Sequence, residues 1–164
     1  DALRQAGVTS AILRLGGNIQ TVGSRPDGSP WRIAIQDPDS GQETSLGVVE
    51  VSNQAVVTSG AYERYFEQDG VRYGHIIDPS TGYPADSGLA SVTIVSPSGT
   101  LADALSTALF VMGPDRAAEY WRGRDDFDFI LIGKDGSITI SEGIEDSFSF
   151  SGEQGSVAFE VVRR

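Results

Sequence analysis

Between residues 101 and 122 the apolar side chains recur at helical spacing, and elsewhere they come in short runs cut by turn-forming residues. The first helical stretch, Leu101 to Met112, stops at Gly113-Pro114, and the second runs from Asp115 to Arg122. Before them lie the β-prone runs 10–15, 19–22, 31–36, 46–52, 55–60, 71–77 and 89–96. The last of these, LASVTIVS, is the most β-branched run in the chain. In the run at 31–36, Trp31, Ile33 and Ile35 fall on one face of a strand. After the helices, 127–133 and 137–141 flank an Asp135-Gly136 turn and predict a hairpin, and 148–162 predicts one last strand pair. Residues 23–30 and 37–44 are dense in turn chemistry and read as loops. Strands, then two consecutive helices, then strands predict an α+β fold with a largely antiparallel sheet.

At 164 residues, with no repeat, linker or low-complexity segment, the chain is one domain's worth of sequence. Its 39% apolar and 21% charged residues are those of a soluble globular protein. No apolar run approaches the roughly 20 residues of a membrane-spanning helix. The net charge is −11 and the 12 Lys and Arg are scattered, which argues against a nucleic-acid partner. A phosphorylated ligand would need a metal ion or backbone N–H groups to offset that acidity locally. The chain has no cysteine, which excludes thiolate catalysis, disulfides and Cys-type zinc sites. With a single histidine, any metal must be held by oxygen, which favours Mg2+ or Ca2+. The opening residues ALRQAG look like the last turns of a helix closed by Gly7 at C′, and a chain that opens inside a helix reads as a fragment.

On a helical wheel, Leu101, Leu105, Ala108, Leu109 and Met112 make one apolar stripe, with Asp103, Ser106 and Thr107 opposite. Phe110 falls on the polar side, which predicts that this side meets another part of the protein. Asp103 and Thr107 stand at i and i+4, so a carboxylate and a hydroxyl stack one turn apart and can reach a shared hard ion. A plainer reading competes. Thr100-x-x-Asp103 matches a capping box, in which Asp103 satisfies an N-terminal backbone N–H, and Thr107 could bond back to the Asp103 carbonyl. On spacing alone the cap is the simpler account.

The lone histidine, His75, opens the segment HIIDPSTGYP, with Asp78-Pro79 and Gly82-Tyr83-Pro84 as rigid loop chemistry. It reads either as a structural histidine bonded to Asp78 or to a carbonyl, or as a group near neutrality that moves a proton. Gly16-Gly17-Asn18 lacks the strand–GxGxxG–helix context of a dinucleotide fold and reads as a turn. Trp31 and Tyr83 read as packing residues.

HIIDPSTGYP, then SVTIVSP, then ADALSTALFVMG resembles the FAD:protein FMN transferase family, the ApbE family of flavin transferases. LRLGGNI (13–19), WRIAIQDP (31–38) and VVTSGAYERYF (56–66) resemble further blocks of that family, in family order. The resemblance covers residues 1 to about 140 and implies that residues 1–164 are the C-terminal portion of a flavin transferase domain, part of a larger two-part α/β fold. The family's N-terminal half supplies much of the flavin and adenine pocket and a Lys-Gly block whose backbone helps hold the metal.

By position, the resemblance makes Asp103 and Thr107 ligands of Mg2+. Ser106 stands where some members carry a second aspartate, and as a neutral oxygen it is a weaker metal ligand. His75, Ile77 and Asp78 match the block lining the FAD site, and Thr58, Ser59 and Gly60 line the cleft from a neighbouring strand. The implied reaction moves FMN from the substrate FAD to a threonine hydroxyl of an acceptor flavoprotein subunit, with loss of AMP and His75 as base or phosphate partner. A non-catalytic FAD-binding protein, an FAD pyrophosphatase and a structural domain with Asp103 as a helix cap are the alternatives. Many relatives act outside the cytoplasm, some lipid-anchored, which makes a periplasmic location the expectation.

Overall fold

The computed structural model describes residues 2–38, 44–151 and 158–164, with backbone only at 71 and 72. In chain order the elements before the helical stretch are α1 (Ala2–Gln5), β1 (Ala11–Leu15), β2 (Asn18–Val22), β3 (Trp31–Gln36), β4 (Ser45–Val51), β5 (Ala55–Gly60), β6 (Tyr65–Gln68), β7 (Val71–Gly74) and β8 (Leu89–Ser96). Then come α2 (Gly99–Met112), α3 (Pro114–Arg122), β9 (Asp128–Gly133), β10 (Ile138–Ser141), β11 (Phe148–Phe150) and β12 (Phe159–Val162). The fold is α+β with mostly antiparallel sheets, as the order of runs predicts.

The main sheet has the order β1-β2-β5-β8-β9-β10-β12, and every neighbouring pair is antiparallel except β10 with β12. β8 lies near its middle, and seven of its eight residues are buried. Both faces of the sheet are covered at its middle strands, which explains why β8 reads as one nearly continuous β-branched run. On one face, Ala55, Val57, Val92, Ile94, Phe129 and Leu131 pack against Ala102, Leu105 and Leu109 of α2 and Trp121 of α3. On the other, Val56, Val95, Ile130 and Ile132 meet Ile33, Ile35, Val49 and Val51 of a second sheet, ordered β11-β4-β3. Alternation along each strand thus sends odd-numbered β5 residues to the helices and even-numbered ones to the second sheet.

Three sequence expectations are corrected. The last strands do not pair with each other: β11 joins β4 antiparallel, and β12 joins β10 in parallel. The reason is aromatic packing. Phe148, Phe150 and Phe159 form a ring cluster with centroids 5.1–6.4 Å apart, and Phe148 seats over Gly47, where an added Cβ would stand 2.6 Å from the ring. Residues 152–157 of that expected pair, and 39–43 of the expected loop, lie outside the described residues. The strand expected over 71–77 ends at Gly74 and pairs with β6, which had not been expected. Asp69 and Gly70 both have positive φ (53° and 76°), the conformation a tight two-residue hairpin turn requires. The third correction concerns α2. Its N-cap is Ser98, whose hydroxyl accepts from the Leu101 N–H at 3.3 Å, so no capping box forms at Thr100.

The short α1 ends as expected. Gly7 has φ +83°, its N–H donates to the Arg4 carbonyl at 3.0 Å, and the Val8 N–H reaches the Leu3 carbonyl at 2.9 Å.

Candidate functional site

The buried stripe of α2 is Ala102, Leu105, Ser106, Leu109 and Phe110, the spacing of one helix face. It is rotated from the stripe expected from the sequence: Leu101, Ala108 and Met112 are only half-buried. Small residues at 102 and 106 let the helix settle onto β5 and β8. Ser106 is therefore fully buried, its hydroxyl bonded to the Asp103 carbonyl at 2.9 Å and to Ser59 Oγ at 2.8 Å. It is Ser106, not Thr107, that bonds back to the Asp103 carbonyl. A hydroxyl with both bonds made inside the packing is poorly placed as the metal ligand expected of Ser106.

Asp103 and Thr107 remain exposed on the neighbouring side of the helix. Two strands reach toward them. Ser59, on the helix-facing side of β5, bonds Thr107 Oγ1 at 3.2 Å as well as Ser106. Asn18, the first residue of β2, donates from Nδ2 to Asp103 Oδ1 at 2.9 Å. Read as part of a turn in the sequence, Asn18 is the residue that sequence reasoning missed. Gly16 and Gly17, with φ of 60° and 98°, make the tight β1–β2 turn that brings it there. Its pairing across 85 residues left no trace in local spacing.

Thr58 and Gly60 are placed differently. Alternation turns Thr58 to the far face, where its hydroxyl is bonded to the buried Thr93 at 2.8 Å, so that hydroxyl does not share the Ser59 side. Gly60 is buried under the Tyr62 ring, where an added Cβ would stand 2.5 Å from a ring carbon. Burial, then the nearby charges of Glu63 and Asp37, push the Tyr62 phenol up to about 12.

His75 follows β7 and is exposed. Its Nδ1 lies 3.1 Å from the Arg64 carbonyl, so its partner is a carbonyl rather than Asp78. Asp78 is engaged within its own loop, accepting from the Ser80 N–H at 2.8 Å and the Ser80 hydroxyl at 2.7 Å. Those bonds, the hydroxyl's first, hold its carboxyl below the usual carboxylate range. Backbone bonds between Asp78 and Tyr83 and between Ala85 and Ile76 close the loop, and Ile77, 48% exposed, bridges to Pro84. Beside His75, burial raises the Glu63 carboxyl, opposed by its neighbours His75 and Arg64.

Phe110 lies on the buried stripe of α2 and also lines a cavity. The polar side expected to carry it stays exposed at Asp103 and Thr107, whereas Phe110, with Ile76, Tyr73, Tyr83 and Lys134, walls a cavity of about 300 Å³ beside the histidine loop. At the rim, exposed Lys134 is paired with exposed Asp86 at 2.6 Å.

Among the described residues no three acidic or histidine side chains gather. An oxygen-seeking cation at α2 would draw on the Asp103 carboxylate and the Thr107 hydroxyl, and complete its shell from water and phosphate oxygens. That donor set fits Mg2+, which habitually keeps few protein ligands.

The fold is that of a mostly antiparallel α+β protein with a carboxylate and a hydroxyl one turn apart on α2 and a histidine loop after β7. The chain belongs to the ApbE family, whose model matches residues 1–131. It is 41% identical over 141 residues to an FAD:protein FMN transferase of Klebsiella pneumoniae, covering 86% of this chain and 43% of that protein. To the FAD:protein FMN transferase of Treponema pallidum it is 44% identical over 146 residues, 84% of this chain and 40% of the other. Among solved structures, the ApbE protein of Thermotoga maritima superposes with a TM-score of 0.76 at 39% identity, covering 84% of this chain and 44% of that one. The flavin transferase ApbE of Vibrio cholerae gives a TM-score of 0.76 at 36% identity, over 90% and 47% of the two chains. The chain spans less than half the length of these relatives.

Proposed function

We propose that this chain forms one wall of the active site of an FAD:protein FMN transferase. The observation that carries the reading is the convergence of Asn18, Ser59, Asp103 and Thr107 from two strands and one helix, within a chain similar to proteins of that name. In the proposed reaction a threonine Oγ of the acceptor protein attacks the phosphorus on the FMN side of the FAD diphosphate. The new Oγ–P bond forms as the P–O bond to AMP breaks, and the threonine proton passes to a base.

Asp103 and Thr107 would hold Mg2+, which would offset diphosphate charge that an acidic chain repels. Asn18 fixes the Asp103 carboxylate through its amide N–H, and Ser59 fixes the Thr107 hydroxyl, so both donors are oriented before substrate arrives. His75 is the proposed proton acceptor, and as general base it contributes roughly 10²–10⁴-fold. The site of action proposed is extracytoplasmic, on the family resemblance alone.

The test is incubation of the complete gene product with FAD, Mg2+ and an acceptor domain, followed by covalent flavin fluorescence and AMP release. Flavin on the acceptor with equimolar AMP supports the reading. FAD bound without AMP release favours a non-catalytic flavin binder, and AMP and FMN released without covalent flavin favour a pyrophosphatase.

A further inference from the structure

We infer that the Arg64 carbonyl holds His75 in its Nδ1–H tautomer, leaving the proton-accepting lone pair on Nε2. The β6–β7 hairpin is then the device that positions the base. His75 Nδ1 and His75 backbone N both lie 3.1 Å from this one carbonyl oxygen. A carbonyl has two lone pairs and only accepts, so both nitrogens must present a hydrogen to it. Neutral imidazole carries one N–H, and with that proton on Nδ1 the free lone pair falls on Nε2. Free histidine in water favours the opposite tautomer, so the bond must shift the balance.

The carbonyl is well placed to do so. The bond from the His75 N–H extends the β6–β7 ladder by one residue, and Phe66 and Tyr73 stack across that hairpin with centroids 5.0 Å apart. On its other side the segment leaves β5 through a turn in which the Glu63 N–H reaches the Gly60 carbonyl at 3.3 Å and the Tyr62 ring covers Gly60. Asp78, the nearest carboxylate in sequence, is engaged with Ser80 and does not compete for the ring. Among the described residues the ring makes no hydrogen bond through Nε2, the Glu63 carboxylate is a charged group beside it, and the side chain is exposed, which leaves that nitrogen open to an incoming hydroxyl. The inference rests on the proposed reaction only for the task it gives Nε2.

The test is the 15N spectrum of the complete gene product labelled in histidine, at a pH near 8.5 where imidazole is ordinarily neutral. The His75 signals are those lost in His75→Gln. A predominantly Nδ1–H ring is the expected result, and a predominantly Nε2–H ring overturns the assignment. Phe66→Ala, which removes the hairpin stack, should raise the Nε2–H population several-fold and lower transfer in step with the Nδ1–H fraction that is lost, with FAD affinity unchanged. An unaltered tautomer in that variant overturns the positioning role of the hairpin. The spectrum needs no flavin, so a failed transfer assay bears on the proposed function and a failed spectrum on the tautomer.

Discussion

Replacing Asp103 by Ala separates a ligand from a helix cap. The residue lies beyond the first turn of α2, is exposed, and makes one side-chain hydrogen bond, to Asn18 at 2.9 Å. An exposed hydrogen bond of this kind contributes about 0.5–1.5 kcal/mol, and a carboxylate beyond the first turn gains little from the helix dipole. Replacing Asp by Ala in a helix returns about 0.5 kcal/mol of intrinsic propensity. The net cost to stability is then at most about 1 kcal/mol, a melting shift of a few degrees or less for a chain of this size. Transfer should behave otherwise: losing a ligand of the cation that would stabilise the reacting phosphate should cost roughly 10²–10³ in rate. The companion variant is Ser98→Ala, which removes the actual cap, should cost about 1 kcal/mol, and should leave transfer at the wild-type rate once folded. Thermal melts and flavin transfer at saturating Mg2+ are measured on both. Wild-type transfer by Asp103→Ala would refute the ligand role, and equal loss of transfer in both variants would reduce the effect to helix integrity.

Ser106→Val strips a fully buried position of two hydrogen bonds and should cost about 1–3 kcal/mol in urea unfolding, with an unchanged midpoint counting against the packing described. Gly113→Ala forces an L side chain into φ +81° between α2 and α3, with its Cβ 3.2 Å from the Ser87 carbonyl. It should cost about 1–3 kcal/mol, and a neutral melt would show that the junction adapts. Stability should also fall on acidification. Asp78, Asp86, Asp126 and Asp135 are held below the usual carboxylate range by Ser80, Lys134, Arg124 and Ser137 respectively. With folded pKa values below the unfolded ones, their contribution is full above the ordinary carboxylate value near 4 and is lost as pH falls through the folded values. Glu63, raised by burial, runs the opposite way, stabilising below its unfolded pKa and losing that as pH rises. The lowered groups outnumber it, so melts between about pH 5 and pH 3 should show a decline, and a rising melting temperature over that range would contradict the assignment.

Much of the architecture was legible because local rules and tertiary packing agree. The β3 alternation of Trp31, Ile33 and Ile35 marks the face that packs on the main sheet, and Gly113-Pro114 breaks the helical stretch where backbone geometry requires it. The β6 strand was missed although Asp69-Gly70 is a strong hairpin signal, because its residues are exposed on every side and carry no alternation. The cap at Ser98 was displaced by a better-matching motif two residues on, which the helix passes through instead.

The sequence by itself determined the periods, the turns, the absence of cysteine chemistry and the one-turn spacing of Asp103 and Thr107, since these depend on residue identity or on residues close in the chain. Only the tertiary structure decided which face of α2 is buried, and with it that Ser106 serves the packing while Asp103 and Thr107 stay open. It also decided that Asn18 reaches Asp103 and that His75 answers to the Arg64 carbonyl rather than to Asp78. Those contacts join residues 85 and 11 positions apart, and a register between strands and helix sets them. Periodicity within one element carries no information about that register.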